Sequence, residues 1–231
     1  MGNMCSNEAK DGQATANVAG QKGGSLSNVD FSQTAVTLAF NLNDAHRKAI
    51  TDFGFFNPST IANLVEESES VFEQGNLSTG NRYYGLTKNK QPHGRGFLQT
   101  TEGDLIGCSF KDGVPQGQGV IYFANGNYFV GEVGQTGPVK GKLHLTNGDV
   151  QEGFFEGQKP NGDIHIRYKD GREYKGKMLN GERHGYGVFN WLDGSKYEGN
   201  WKKVQHGQGK FTDAQGQIKD GQFYEGKFVS A

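Results

Sequence analysis

From Tyr83 onward, apolar and polar residues alternate in short runs that glycine interrupts at a near-constant interval. In Tyr174-Lys175-Gly176-Lys177-Met178, a period of two places Tyr174, Gly176 and Met178 on one face of a strand and both lysines on the other. Asn180-Gly181 then supplies the positive φ angles of a tight hairpin. The return strand lies within residues 184–191, where Gly185 and Gly187 form a Gly-x-Gly step, and Asp193-Gly194 turns the chain onward. Tyr197-Glu198-Gly199-Asn200-Trp201 and Gly207-Gln208-Gly209 repeat that order, as do Tyr83 with Gly94-Arg95-Gly96, and Gly117-Gln118-Gly119. The first glycines of the units are Gly85, Gly107, Gly131, Gly153, Gly176, Gly199 and Gly221, at intervals of 22 to 24 residues. Such a period marks a repeat architecture. Each unit reads as one β-hairpin, which is marginal alone, so the copies must stack. The expected contact is an aromatic of one copy lying on the glycines of the next, where a Cβ would hold the ring away.

Ahead of the repeats the pattern changes. Val36, Leu38, Phe40 and Leu42 alternate as in a half-buried strand. Asn43-Asp44 reads as the cap of a short helix with Ala45, Ala49, Ile50 and Phe53 on its apolar face, ended by Gly54. A second helix is signalled by Asn57 as N-cap, Pro58 in the first turn and Gly75 just past the end. Its stripe is Ile61, Leu64, Val65 and Phe72, with Glu66, Glu67, Glu69 and Glu73 on the wet side. This segment is expected to cover the first repeat, because the open end of a repeat sheet invites pairing with other chains. The predicted organisation is a disordered tail over 1–29, a strand plus helices capping the array over 30–82, and about seven repeats over 83–231. The fold class is all-β: an open solenoid of stacked hairpins behind a small helical capping segment.

Composition sharpens this picture in three ways. Glycine numbers 37 and aromatics reach 12% while apolar residues total only 33%, which suits many turns and a thin aromatic core. The net charge of −1 divides into −4 over 1–82 and +3 over 83–231, too weak a field to imply nucleic acid. Cys5 and Cys108 do not suggest a disulfide framework, and no apolar run approaches the roughly 18 residues that span a bilayer.

The N-terminus, Met1-Gly2-Asn3-Met4-Cys5-Ser6, fits the N-myristoylation pattern, with Gly2 as the acceptor of the acyl chain and Ser6 in place. One myristoyl chain anchors only marginally, so a second signal is needed. Lys10 and Lys22 against Glu8 and Asp11 make no polybasic patch, which leaves Cys5 as the site of a second acyl chain. Residues 7–29 hold few large apolar side chains and read as a disordered tether.

Candidate catalytic chemistry is sparse. His93, His184 and His206 recur at one repeat position and should line up along the stack, whereas metal ligands must converge. There is no phosphate loop of the Gly-x-x-x-x-Gly-Lys-Ser/Thr type and no Gly-x-Ser-x-Gly elbow. Cys108 has no identifiable activating partner. The expectation is no enzyme, no cofactor and no metal.

The pattern Tyr-x-Gly-x-Trp, His-Gly-x-Gly, Asp/Asn-Gly resembles the MORN (membrane occupation and recognition nexus) repeat. It stands in the two copies that open at Tyr174 and Tyr197 and in His93-Gly94-Arg95-Gly96 of the first. Two copies depart from it, with Gly141-Lys142-Leu143 and Gly162-Asp163-Ile164 where Gly-x-Gly is expected, and the array's end is divided between Gly221 and Tyr224-Glu225-Gly226. The resemblance implies a scaffold with protein partners, as in junctophilins, parasite cytoskeletal proteins and radial-spoke components. With Gly2 and Cys5 acylated, the location implied is the cytoplasmic face of a membrane, the alternative being cytoskeleton or cilium. The family's link to acidic phospholipids implies a second reading, direct lipid binding through Lys175, Lys177, Lys202 and Lys203. The array also resembles the N-terminal parts of some phosphatidylinositol phosphate kinases and of a SET-domain methyltransferase, but the repeats run almost to Ala231 and leave no catalytic domain behind them. Free sheet edges leave homo-oligomers open.

Overall fold

A computed structural model describes residues 32, 39–40, 42–53 and 70–230. The tail with Gly2 and Cys5, Val36 and Leu38 of the expected strand, and residues 57–69 of the expected second helix lie outside the described residues. Helix α1 (Asp44–Phe53) precedes a continuous antiparallel meander. Its strands run β1 (Val71–Asn76), β2 (Arg82–Lys88), β3 (Gln91–Gln99), β4 (Leu105–Lys111), β5 (Val114–Tyr122), β6 (Tyr128–Gly134) and β7 (Gly137–His144). They continue as β8 (Val150–Glu156), β9 (Lys159–Arg167), β10 (Glu173–Leu179) and β11 (Glu182–Asn190). The array ends with β12 (Lys196–Lys202), β13 (Val204–Thr212), β14 (Ile218–Tyr224) and β15 (Lys227–Ser230). Each strand pairs only with its sequence neighbours, so the sheet is an open, all-β array. No described helix is long and apolar enough to cross a membrane.

Register explains the glycines. Gly85 faces Gly96, Gly119 faces Gly131, Gly131 faces Gly141 and Gly141 faces Gly153. Past Ile164, the line resumes through Gly176, Gly187, Gly199, Gly209 and Gly221. A groove of glycine therefore crosses the sheet on one face, here called the ring face. Beside it runs an apolar row that includes Tyr83, Leu98, Ile106, Ile121, Phe129, Leu143, Ile166, Tyr174, Phe189 and Tyr197. The rings of Tyr83, Tyr174 and Tyr197 lie across the glycine pair of their own hairpin, and that of Phe129 lies on Gly141. Residues i and i+2 share a strand face and the second glycine stands directly opposite, so own-copy packing replaces the expected packing on the next copy's glycines. The next copy contributes an aromatic edge instead: Tyr83 meets Phe110 at 5.5 Å, Phe129 meets Phe155 at 5.6 Å and Tyr197 meets Phe223 at 5.0 Å. Rings laid flat in a glycine groove let a single-layer sheet bury its own core. Tyr83, Tyr174 and Tyr197 then donate their hydroxyls to the carbonyls of Leu86, Lys177 and Asn200.

The two glycines of Gly-x-Gly have different tasks. The second belongs to the groove. The first takes positive φ at the strand irregularity, with +85° at Gly94, +76° at Gly117, +62° at Gly185 and +87° at Gly207, a region that costs a residue with a Cβ. The aberrant copies follow from the same geometry. Gly141 keeps its place in the groove, and Ile164 fills a place where Gln151 stands instead of a ring. Gly107 requires a correction: Cys108, not Gly107, faces Gly96 in the groove, and Gly107 lies on the opposite face under the ring of Phe97.

The segment before the array also departs from expectation. Val71–Asn76, expected to close the second helix, is a strand whose Phe72 faces Leu86 and whose Gly75 faces Tyr83. The exposed edge of β2 would otherwise leave backbone donors unpaired, and strand pairing satisfies them. Leu77 and Asn81 form the same turn that joins later copies, so the array begins half a repeat before Tyr83. Ala39, Phe40 and Leu42 are not in a strand. They are buried with Ala49 and Ile50 of α1 against Tyr84, Phe97, Leu105, Val120, Tyr122 and Tyr128. The cover thus lies on a face of the early repeats, while β1 takes the edge.

Candidate functional site

The ring face is spent on internal packing, which leaves the other face for function. Over β2 to β6 that face is apolar and carries the α1 segment. Beyond β6 it turns polar, because the alternate positions of each strand change from Tyr and Val to Lys and Glu. One register row reads Val130, Lys142, Glu152, His165, Lys175, Val188, Glu198, Lys210 and Asp220. A parallel row holds Arg167, Glu173, Asn190 and Lys196. Opposite charges meet across strands, with Glu152 3.6 Å from Lys142 and 3.2 Å from Arg167, and along one strand, with Lys196 3.0 Å from Glu198. Burial pushes Glu152 up, but the bond and charge of Arg167 and the charge of Lys142 outweigh it and hold the carboxyl below its usual range. Burial and neighbouring cations hold His144 and His165 below ordinary imidazole, so both are neutral near pH 7. Exposed pairs of this kind contribute about 0–1 kcal/mol each and serve recognition and solubility more than stability.

Where the cover ends, an open groove of ≈ 470 Å³ lies among Tyr128, Val130, Lys142, His144 and Glu152. Farther on, Phe154 and Tyr186 are exposed at 42% and 59%, the former under the Lys140 ammonium at 4.9 Å. Apolar side chains set among balanced charges are the mixture found in protein-recognition surfaces.

The histidines at the common repeat position do not converge. His93 meets Asp112 at 3.3 Å, His184 is exposed and His206 stacks on Tyr224 at 5.2 Å. Among the described residues, no three His, Cys, Asp or Glu side chains could hold a metal ion. Three of the four lysines implicated in lipid binding face carboxylates: Lys175 to Glu173 at 4.0 Å, Lys177 to Asp163 at 3.1 Å and Lys203 to Glu182 at 3.0 Å. Lys202 is exposed at a strand end. Cys108 is fully buried, and burial pushes its thiol up to about 12. In the folded protein its alkylation by iodoacetamide is expected to run about 100-fold slower or more than that of a free thiol, recovering in denaturant. Peptide mapping separates it from Cys5. Alkylation at the free rate in the native state would show that the glycine groove is open there.

Three features escaped sequence reading. Asn81, Asp104, Asn127 and Asp149 each accept the backbone N–H of Thr101, Ala124, Thr146 and Lys169 in the following turn, at 2.8–3.2 Å. Their own near-23-residue spacing carried that signal. The Arg183 guanidinium lies over the rings of Trp201, Phe189 and Tyr174, at 4.5, 5.2 and 5.8 Å. His46, on the buried side of α1, is 1% exposed.

Residues 109–128, 174–196 and 197–218 match the family model of the MORN repeat. Three segments of the array are thus similar to that repeat. Alsin of Homo sapiens and of Mus musculus are each 27% identical to it over 163 residues, covering 64% of this chain. The chain spans only 10% of the length of these curated relatives. Among solved structures, the TCP domain of Drosophila Melanogaster SAS-4, in complex with a proline-rich motif of Ana2, is 10% identical, with 71% of this chain and 97% of that one covered at a TM-score of 0.36. The TCP10 domain of Danio rerio CPAP is 15% identical, with 73% and 94% covered, again at 0.36.

Proposed function

We propose that this MORN-repeat protein is a non-enzymatic scaffold that offers the open face of β7 to β14 to protein partners. Acyl chains on Gly2 and Cys5 would hold it at the cytoplasmic face of a membrane. The observation that carries the reading is the division of labour between faces. One is consumed by the glycine groove and its rings, and the other is an extended field of paired charges with exposed Phe154 and Tyr186. Its titratable groups stand a strand spacing apart on an open surface, which suits recognition over many positions better than concerted chemistry at one.

Direct binding of acidic phospholipid draws less support. Lys175, Lys177 and Lys203 are already neutralised by neighbours, and each basic residue near an anionic surface adds only about 1 kcal/mol. The unacylated full chain is expected to stay unbound in flotation with phosphatidylserine vesicles at low salt; flotation would favour the lipid-binding reading.

The tether is tested in cells with an alkyne analogue of myristate. Label is expected on wild type and absent from Gly2→Ala, which moves to the soluble fraction. Cys5→Ser is expected to keep the label and lose membrane retention. Membrane retention of Gly2→Ala would end the acyl-tether reading, and absence of label on wild type would turn the search to cytoskeleton or cilium.

A further inference from the structure

Asn43 is the clasp between α1 and the sheet. Its side-chain oxygen accepts the His46 N–H at 2.8 Å and caps the helix. Its side-chain nitrogen donates to the Ala124 carbonyl in a sheet turn at 3.3 Å. Its backbone N–H donates to His46 Nδ1 at 3.4 Å. An Nδ1 that accepts places the ring proton on Nε2, and Nε2 is buried without a hydrogen-bond partner. The groups nearest the ring from the sheet are the Asp104 carboxylate and the backbones of Tyr122 and Gly103. Asp104 is engaged with the Ala124 N–H at 2.8 Å. Tyr122 and Tyr128 stand in the same cluster as the cover's apolar side chains. On α1 itself, Asp44, Arg47 and Lys48 are exposed.

We propose that docking of the α1 segment on the sheet is pH-sensitive, with His46 as the trigger: protonation turns Nδ1 from acceptor to donor against the Asn43 N–H and loosens the clasp. Two further effects act in the same direction. A cation in the first turn of a helix opposes the helix dipole, and burying the charge is costly. Attraction to Asp104 and to the backbone carbonyls of Tyr122 and Gly103 opposes release, but burial outweighs them, so the docked ring titrates below the ordinary 6.5 of imidazole. Docking is therefore full above that value. Below it the docking constant falls by up to about tenfold per pH unit, until the docked ring itself takes the proton. Release uncovers Tyr84, Phe97, Leu105, Val120 and Tyr122, an apolar band continuous with the open face. The inference does not depend on the scaffold reading.

Amide hydrogen exchange of the full chain, labelled at about pH 7.5 and about pH 5.5 and corrected for intrinsic rate, tests it. Peptides over 39–53 are expected to lose protection by up to about tenfold at the lower pH while β10 to β13 keep theirs. His46→Phe is expected to abolish the difference. Equal protection of 39–53 at both pH values, or an undiminished fall in His46→Phe, overturns the proposal. Should His46→Phe lose protection throughout the sheet, the wild-type imidazole resonance decides instead. It is expected to titrate only together with release, and titration near 6.5 with α1 still protected would overturn the proposal.

Discussion

Trp201→Ala is expected to destabilise the array by about 4 kcal/mol in urea unfolding, near the upper range for loss of a buried aromatic. Trp201 is 3% exposed and meets Tyr197 at 5.0 Å and Tyr174 at 5.5 Å, both edge-on. Its indole N–H donates to the Gly187 carbonyl at 3.0 Å, and Arg183 caps the ring at 4.5 Å. Alanine would remove an aromatic contact to each flanking tyrosine, strip Arg183 of its main ring and remove a hydrogen bond to a buried carbonyl. Trp191, half-buried against Phe189 and Phe211, lacks those partners, so Trp191→Ala should cost about half as much or less. In a repeat array the loss is passed to neighbours through interfaces. Protection should fall most in β10 to β13 and least in β2 to β5. Equal costs for the two tryptophans would sink the idea that Trp201 locks successive copies together.

Gly187→Ala is expected to cost about 3 kcal/mol, as in other overpacked cores. A Cβ there would stand 2.5 Å from the Tyr174 hydroxyl oxygen and 2.7 and 2.8 Å from ring carbons. The ring is hemmed in by Trp201 and its hydroxyl is committed to the Lys177 carbonyl, so it cannot yield cheaply. The cause can be isolated by a double-mutant cycle. Tyr174→Ala should itself cost about 3–5 kcal/mol, but the double variant should fall short of additivity by about 1–3 kcal/mol, because the methyl then enters vacated space. Gly194→Ala is the comparison: its Cβ would meet nothing within 4 Å, and only its φ of +86° opposes alanine, for about 1 kcal/mol. Additivity at Gly187 and Tyr174 would mean that the glycine is needed for backbone reasons and not for the ring.

The glycine of each turn was legible because local chemistry sets it. Asn180 and Gly181 take φ of +52° and +86° wherever the hairpin sits, so Asn-Gly announces the turn. The period was legible because each copy writes the same turns again. Val71–Asn76 was misread because apolar positions at helical spacing also suit a strand in so short a run. The unpaired edge of β2, absent from any local pattern, decided between them. Gly107 was misassigned for a related reason. The motif fixes which residues are small, but a one-residue offset moves a position to the other face, and only pairing with β3 shows that Cys108 holds the groove.

By itself the sequence determined that this chain is an open array of β-hairpins with a short helix before it, since φ preference, alternation and period are properties of neighbouring residues. Tertiary structure alone decided which glycines face which. It also decided that rings lie on their own copy and lean on the next, that α1 covers a face and not an edge, and that His46 is sealed beneath it. Those outcomes depend on register across strands and on contact between segments distant in the chain, and no local pattern encodes either.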